Sequence, residues 1–178
     1  LHASLSTLHE PKHIHYRVNA GPIPLNHWTQ DPNIGGGRII GEACHFVDFI
    51  TFLTGVPPSS VAACALPDAG KYHGDNVSMT FTFPDGSIGV VDYLANGDKS
   101  FPKERVEVFC GERVAVLDDY RMLELVRDGK KTVKRSGQDK GHLAEMQVFA
   151  QAIRTGGQPP IPYEQMIGVT KATFMAME

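Results

Sequence analysis

One segment limits what this chain can become: the stretch between the glycine run Gly35-Gly36-Gly37 and the stop formed by Gly55, Pro57 and Pro58. From about Gly41 to Leu53 it reads as helix, with Gly55 placed to end it. Ala43, Cys44, Phe46, Val47, Phe49, Ile50, Phe52 and Leu53 cover most of its surface, which predicts a buried helix. Against that cover, Glu42, His45, Asp48 and Thr51 recur every third residue as one drifting polar stripe. An unpaired buried charge is too costly, so the stripe has to face a cavity, a partner or solvent. His45 lies near the predicted helix start, where the dipole disfavours the imidazolium, and a neutral imidazole beside a carboxylate can transfer protons. The structural alternative is a hydrogen-bonded core histidine, with Glu42 and Asp48 in solvent.

The segments around this helix are mostly strands. Ile14 to Asn19 alternates, with His13, His15 and Arg17 on one face and Ile14, Tyr16 and Val18 on the other. Residues 20–34 contain Gly21, Pro22, Pro24 and Pro32 and form a long loop, a kind that is often functional. Strands are expected at 60–66, 77–83 and 87–94, the last two joined as a hairpin through Pro84-Asp85-Gly86. Four short strands follow at 105–110, 113–118, 122–127 and 131–134, patterned as an antiparallel meander. From about Gly141, helical spacing runs through Leu143, Met146, Phe149 and Ile153 to Gly156-Gly157, and a final helix carries Met166, Val169, Thr170, Thr173 and Phe174. The expected fold is α+β: an open, mostly antiparallel sheet of six to eight strands with helices packed on one face.

At 178 residues the chain is one domain by length, spanning 1–178. A net charge of −3 gives no footprint for nucleic acid or an anionic membrane, and no apolar run reaches the roughly 18 residues of a membrane span. The three cysteines, Cys44, Cys64 and Cys110, are far apart and odd in number, which reads as reduced, mostly buried thiols in the cytoplasm. Leu1, Leu5 and Leu8 have the spacing of a helix tail. The chain starts without Met and stops within a helical pattern at Met177-Glu178, so the expectation is a piece of a longer protein.

Several motifs fail on spacing. The three glycines lack G-x-G-x-x-G and follow a loop rather than a strand, so no dinucleotide fingerprint is present. Glu42-x-x-His45 is half of a di-metal pattern without its second copy, and His13 with His15 has no spaced partner, so no metal is expected. Gly35-Gly36-Gly37 with His45 and Asp48 instead resembles the G-G-G-x-x-x-D-x-G-x-H-x-x-D motif of the glucose-fructose oxidoreductase/inositol dehydrogenase (Gfo/Idh/MocA) family. The strand from Ile14, the hairpin 77–94, and the ending Glu145-x-x-x-Phe149-x-x-Ala152-Ile153 with Gly157 and Pro159-Pro160 agree with it.

The resemblance implies the C-terminal, substrate-binding domain of a two-domain oxidoreductase, with NAD or NADP bound mainly by a missing N-terminal Rossmann domain. By similarity, His45 is the general base or acid for a substrate hydroxyl on a sugar or polyol. The family's usual Asp, four before the histidine, is Gly41 here, and Glu42 is the neighbouring candidate, about 100° away on the helix. Asn19, His27, Trp28, Arg38 and Glu42 flank the same junction as candidate substrate-binding residues. A homo-oligomer through the open sheet is expected, and the isolated domain is expected to be inactive and to bind no cofactor. The alternative is a non-catalytic assembly or ligand-sensing domain of the same fold.

Overall fold

Eight strands make one sheet in the order β2-β3-β4-β1-β5-β6-β7-β8. They are β1 (His13–Asn19), β2 (Ser60–Ala65), β3 (Asn76–Thr82), β4 (Ile88–Leu94), β5 (Glu104–Cys110), β6 (Arg113–Asp118), β7 (Met122–Arg127) and β8 (Lys130–Arg135). The structure, a computed structural model, describes residues 10–178, so the helix tail expected at residues 1–9 lies outside the described residues. Every pairing is antiparallel except β1 with β4, which run parallel from His13 opposite Ile88 to Asn19 opposite Leu94. β1 thus inserts between the β2-β3-β4 meander and the β5–β8 meander, and its carboxyl end opens beside both.

Alternation decides the two faces. Ile14, Tyr16 and Val18 of β1, Met79 and Phe81 of β3, Val91 and Tyr93 of β4, and Val106 and Val108 of β5 are buried under the helices. His13, His15 and Arg17 point to the open side, as their spacing predicts. There His15 Nε2 lies 2.7 Å from Asp92 Oδ2 on the neighbouring β4.

Three α-helices accompany the sheet: α1 (Cys44–Thr54), α2 (His142–Thr155) and α3 (Tyr163–Met175). α1 lies directly on the strands because Gly89 has no side chain; a Cβ there would come within 2.7 Å of Ile50 Cδ1. α3 packs on α1 and reaches β2. α2 buries none of its residues, and Leu143, Met146, Phe149 and Ile153 stay more than half exposed. No helix among the described residues is long and apolar enough to cross a membrane.

The central helix departs from its sequence reading in three ways. It begins earlier, with a π turn at Ile39–Ala43 that runs into α1. Phe52 stands half exposed, so the helix is buried on one side rather than all round. Thr51 leaves the polar stripe and is fully buried, its hydroxyl oxygen without a partner. A three-residue step turns about 300°, so three steps carry Thr51 half a turn away from Glu42. An unpaired buried hydroxyl costs roughly 1–3 kcal/mol. Burying Phe46, Val47, Ile50 and Leu53 on the same side contributes about 1.5–3 kcal/mol each and outweighs it. Cys64 is exposed on β2, in contrast to the expectation of mostly buried thiols.

Candidate functional site

The glycine run works by stereochemistry. Gly35 lies against the 3₁₀ turn Trp28–Gln30, where a Cβ would sit 2.4 Å from Thr29 Cα, and Gly36 and Gly37 have φ of +71° and +85°. A side chain at any of the three would clash or strain the backbone. The turn delivers Arg38 into the interior, where it is 2% exposed. Its Nη1 donates to Gly21 O at 2.8 Å and to Asp75 Oδ2 at 3.4 Å, and its guanidinium lies over the Tyr93 ring at 5.2 Å. Asp75 is equally buried and also accepts from Gln30 Nε2 at 3.3 Å. A buried charge persists only when paired and hydrogen-bonded, and Arg38 with Asp75 meets that condition. Arg38 therefore ties the loop after β1 to the start of β3 through its Nη1, while its buried Nε makes no hydrogen bond.

Glu42 stands between this buried pair and the surface. The Tyr93 hydroxyl donates to Glu42 Oε2 at 2.7 Å, Arg38 Nε lies 3.7 Å from Oε1, and Lys103 Nζ lies 4.0 Å from Oε2. Burial and the neighbouring carboxylate push the Tyr93 hydroxyl well above the usual tyrosine range, so it remains a donor at neutral pH. His45 follows one turn later and is exposed. Because the helical turns start at Ile39, His45 lies beyond the first turn, where the dipole effect fades. Asp48, half-buried, has its carboxyl pushed up by burial, with His45 opposing and Glu145 of α2 adding to the rise.

Beside this turn a cleft of about 770 Å3 opens at the carboxyl end of β1, between the loop carrying Lys99 and Lys103, the β6–β7 turn and Lys140. Asn19 forms its inner wall. It is 6% exposed, and its Nδ2 donates to Asp98 O at 2.7 Å and Phe101 O at 3.1 Å, fixing the loop. Under the cleft the Tyr16 hydroxyl donates to Glu104, Lys140 pairs with Glu104, and the Tyr120 hydroxyl lies 3.2 Å from that of Tyr16. The Phe46 and Phe49 rings of α1 meet Tyr16 edge-on at 4.9 and 5.2 Å, and Phe49 meets Tyr120 at 6.3 Å. Lys140, which lines the cleft, is thus linked through Glu104 and Tyr16 to the aromatic side of the helix that bears His45.

His27 and Trp28 lie elsewhere. They line a second cleft, of about 590 Å3, with Trp28 61% exposed and its ring 5.9 Å from that of His27. His45 lines neither cleft. So Arg38, Glu42 and His45 are gathered along one helix start, Asn19 joins through the cleft wall, and the two aromatic candidates stand apart. Lys103, Glu104, Tyr120 and Lys140 escaped the sequence reading because each meets the site only across the sheet, with no local spacing to mark it. Among the described residues no group of three or more His, Cys, Asp or Glu side chains is placed to hold a metal ion.

The sequence matches the GFO/IDH/MocA C-terminal domain over residues 7–115. No curated protein matches it. Solved structures share the fold. The UDP-N-acetylglucosamine 3-dehydrogenase from Acidithiobacillus ferrooxidans superposes with a TM-score of 0.79 at 18% identity, over 98% of this chain and 55% of that one. The aldose-aldose oxidoreductase from Caulobacter crescentus, complexed with glycerol, gives 0.78 at 16% identity over 98% and 56%. An oxidoreductase from Agrobacterium radiobacter, in complex with NAD+, L-tartaric acid and magnesium, gives 0.66 at 13% identity over 94% and 54%. At these identities the likeness is one of fold, and the chain spans about half the length of each structure.

Proposed function

The chain belongs to the GFO/IDH/MocA C-terminal domain family, and from that premise we propose that it is the substrate-binding part of an NAD(P)-dependent oxidoreductase acting on a sugar, polyol or related hydroxyl compound. The observation that carries this reading is His45, exposed on the motif segment one turn from the Glu42–Tyr93 pair. An alcohol that gives up a hydride must also lose its hydroxyl proton. An imidazole within reach of that oxygen accepts the proton near neutral pH and returns it in the reverse direction. Glu42 and Asp48 stand three residues to either side of His45 on the same helical segment. Arg38 and Asp75 act indirectly, by holding the glycine turn from which the helix starts.

The nicotinamide nucleotide would supply the hydride acceptor, and this chain's residues do not fit its cradle. The glycines pack against Thr29 and lead into a π turn, without the strand-to-helix turn that a pyrophosphate cradle uses. In this reading the nucleotide is held by a dinucleotide-binding half outside the chain. The open sheet face, with Val90, Phe109, Val114, Val116 and Val133 among charged neighbours, is the surface through which a second copy would dock. The occurrence of Gly41 where the family motif has Asp favours the second reading, a ligand-sensing domain without turnover.

The test is direct. The full-length protein is mixed with NAD+ or NADP+ and a panel of aldoses, polyols and sugar acids, and reduced nucleotide is followed by absorbance. Formation of NADH or NADPH with at least one hydroxyl compound is expected. Binding of a sugar with no turnover in either direction would favour the sensing role.

A further inference from the structure

The cleft beside the Glu42–His45 turn carries an unbalanced positive charge. Its acidic side chains are each already met by a cation: Asp118 by Arg105 at 3.3 Å, Asp119 by Arg121 at 3.2 Å, and the buried Glu104 beneath it by Lys140. Lys103 has only the long 4.0 Å approach to Glu42, and Lys99 has no ion pair among the described residues. Lys99 is therefore left over on the cleft wall, and Lys103 is only loosely engaged.

The loop that carries them is braced, and so is the stem of Lys99. The Lys99 stem lies against Gly21, where a Cβ would come within 2.5 Å of Lys99 Cγ and 3.0 Å of Cε. The loop between them is fastened by the two hydrogen bonds from Asn19, and Gly97 makes room for that side chain, since a Cβ there would fall 1.9 Å from Asn19 Oδ1. Ser100 N closes the turn on Asp98 Oδ1 at 2.8 Å. A lysine loses considerable side-chain entropy when it binds an anion, and a stem that is already packed loses less.

We infer that this cleft takes the anionic group of the substrate, a carboxylate or a phosphate, on Lys99 and Lys103. The inference rests on the reading of His45 as the group facing the substrate hydroxyl. Lys103 approaches Glu42 at 4.0 Å, one turn before His45, and His45 itself lies outside the cleft lining. On this assignment the substrate reaches from the cleft past Glu42, with its anion on the lysines and its hydroxyl toward the imidazole. The substrate class is thereby narrowed from sugars in general to acidic sugars or phosphorylated sugars. A neutral sugar offers the ammonium groups only hydroxyl acceptors, whose hydrogen bonds are weaker than those to an anion.

The experiment measures affinity by calorimetry on the full-length protein, using glucose, glucuronate and glucose 6-phosphate as probes. One or both anionic probes bind about tenfold or more tightly than glucose, the size expected of charge-assisted hydrogen bonds. Which of the two does so identifies carboxylate or phosphate. In the double variant Lys99→Gln, Lys103→Gln the preference disappears, and Lys99→Arg, Lys103→Arg restores it, which separates lost charge from lost structure. Equal affinity for all three probes, or a preference that survives the glutamine variant, overturns the assignment. A His45→Ala protein that keeps the anion preference while turnover stays unaffected would count against the histidine and leave the cleft standing, so the two readings fail separately.

Discussion

The Tyr93 hydroxyl donates to Glu42 at 2.7 Å, joining a fully buried ring of β4 to the first turn of the helix that carries His45. β4 and the helix start are 51 residues apart in sequence, so this bond sets the angle at which the motif segment leaves the sheet. Tyr93→Phe keeps the ring and removes only the donor. It is expected to cost about 1 kcal/mol in urea unfolding. Turnover should fall as well, because Glu42 is freed to swing toward Lys103. Unchanged stability and turnover would show that the bond orients nothing.

Arg38 tests whether a residue that looked like a substrate contact serves the scaffold instead. Arg38→Ala leaves Asp75, 1% exposed, as an uncompensated buried charge, a change that typically costs about 3–5 kcal/mol. Equilibrium unfolding should show that loss, and Asp75→Asn in the Arg38→Ala background should recover part of it. A stable Arg38→Ala protein with weakened substrate binding alone would return Arg38 to the substrate.

Asp48 makes a pH-dependent prediction. Burial raises its folded-state pKa above the unfolded value, so the folded protein holds that proton more tightly. Its contribution to stability is fully present below the unfolded pKa and is lost as pH rises through the raised one. Asp48→Asn removes this loss. The stability difference should move in favour of the variant from acidic pH, below the ordinary carboxylate range, up to neutrality and then level off. Unfolding curves collected across that interval check it, and a gap that stays constant or shifts the other way would contradict the burial argument.

Much of the fold was legible because it rests on period two and on turn residues. The hairpin expected at 77–83 and 87–94 forms at Asn76–Thr82 and Ile88–Leu94, and the four-strand meander appears within a residue or so of its expected bounds. The parallel pairing of β1 with β4 was not legible, since nothing local in either strand records a partner more than 70 residues away. The π turn at Ile39–Ala43 was hidden for a related reason: apolar periodicity marks a helix but not its hydrogen-bond spacing. Arg38 could not be placed because its partners, Gly21 and Asp75, belong to two other loops. His45 is marked in the sequence by the polar stripe of its helix and then by the motif it resembles. Nothing in the local sequence distinguishes Lys99 and Lys103, because the loop that carries them is fixed by Gly21 and Asn19, about 80 residues away.

The central claim is that His45 transfers a proton with the substrate rather than supporting the fold. The most direct measurement is kcat of His45→Gln in the full-length protein, with the best substrate of the panel, read beside its unfolding midpoint. The account predicts a fall of about 100-fold or more in kcat, with the midpoint unchanged because the side chain is exposed. A variant that turns over at the wild-type rate, or that loses activity only as it loses stability, would contradict it.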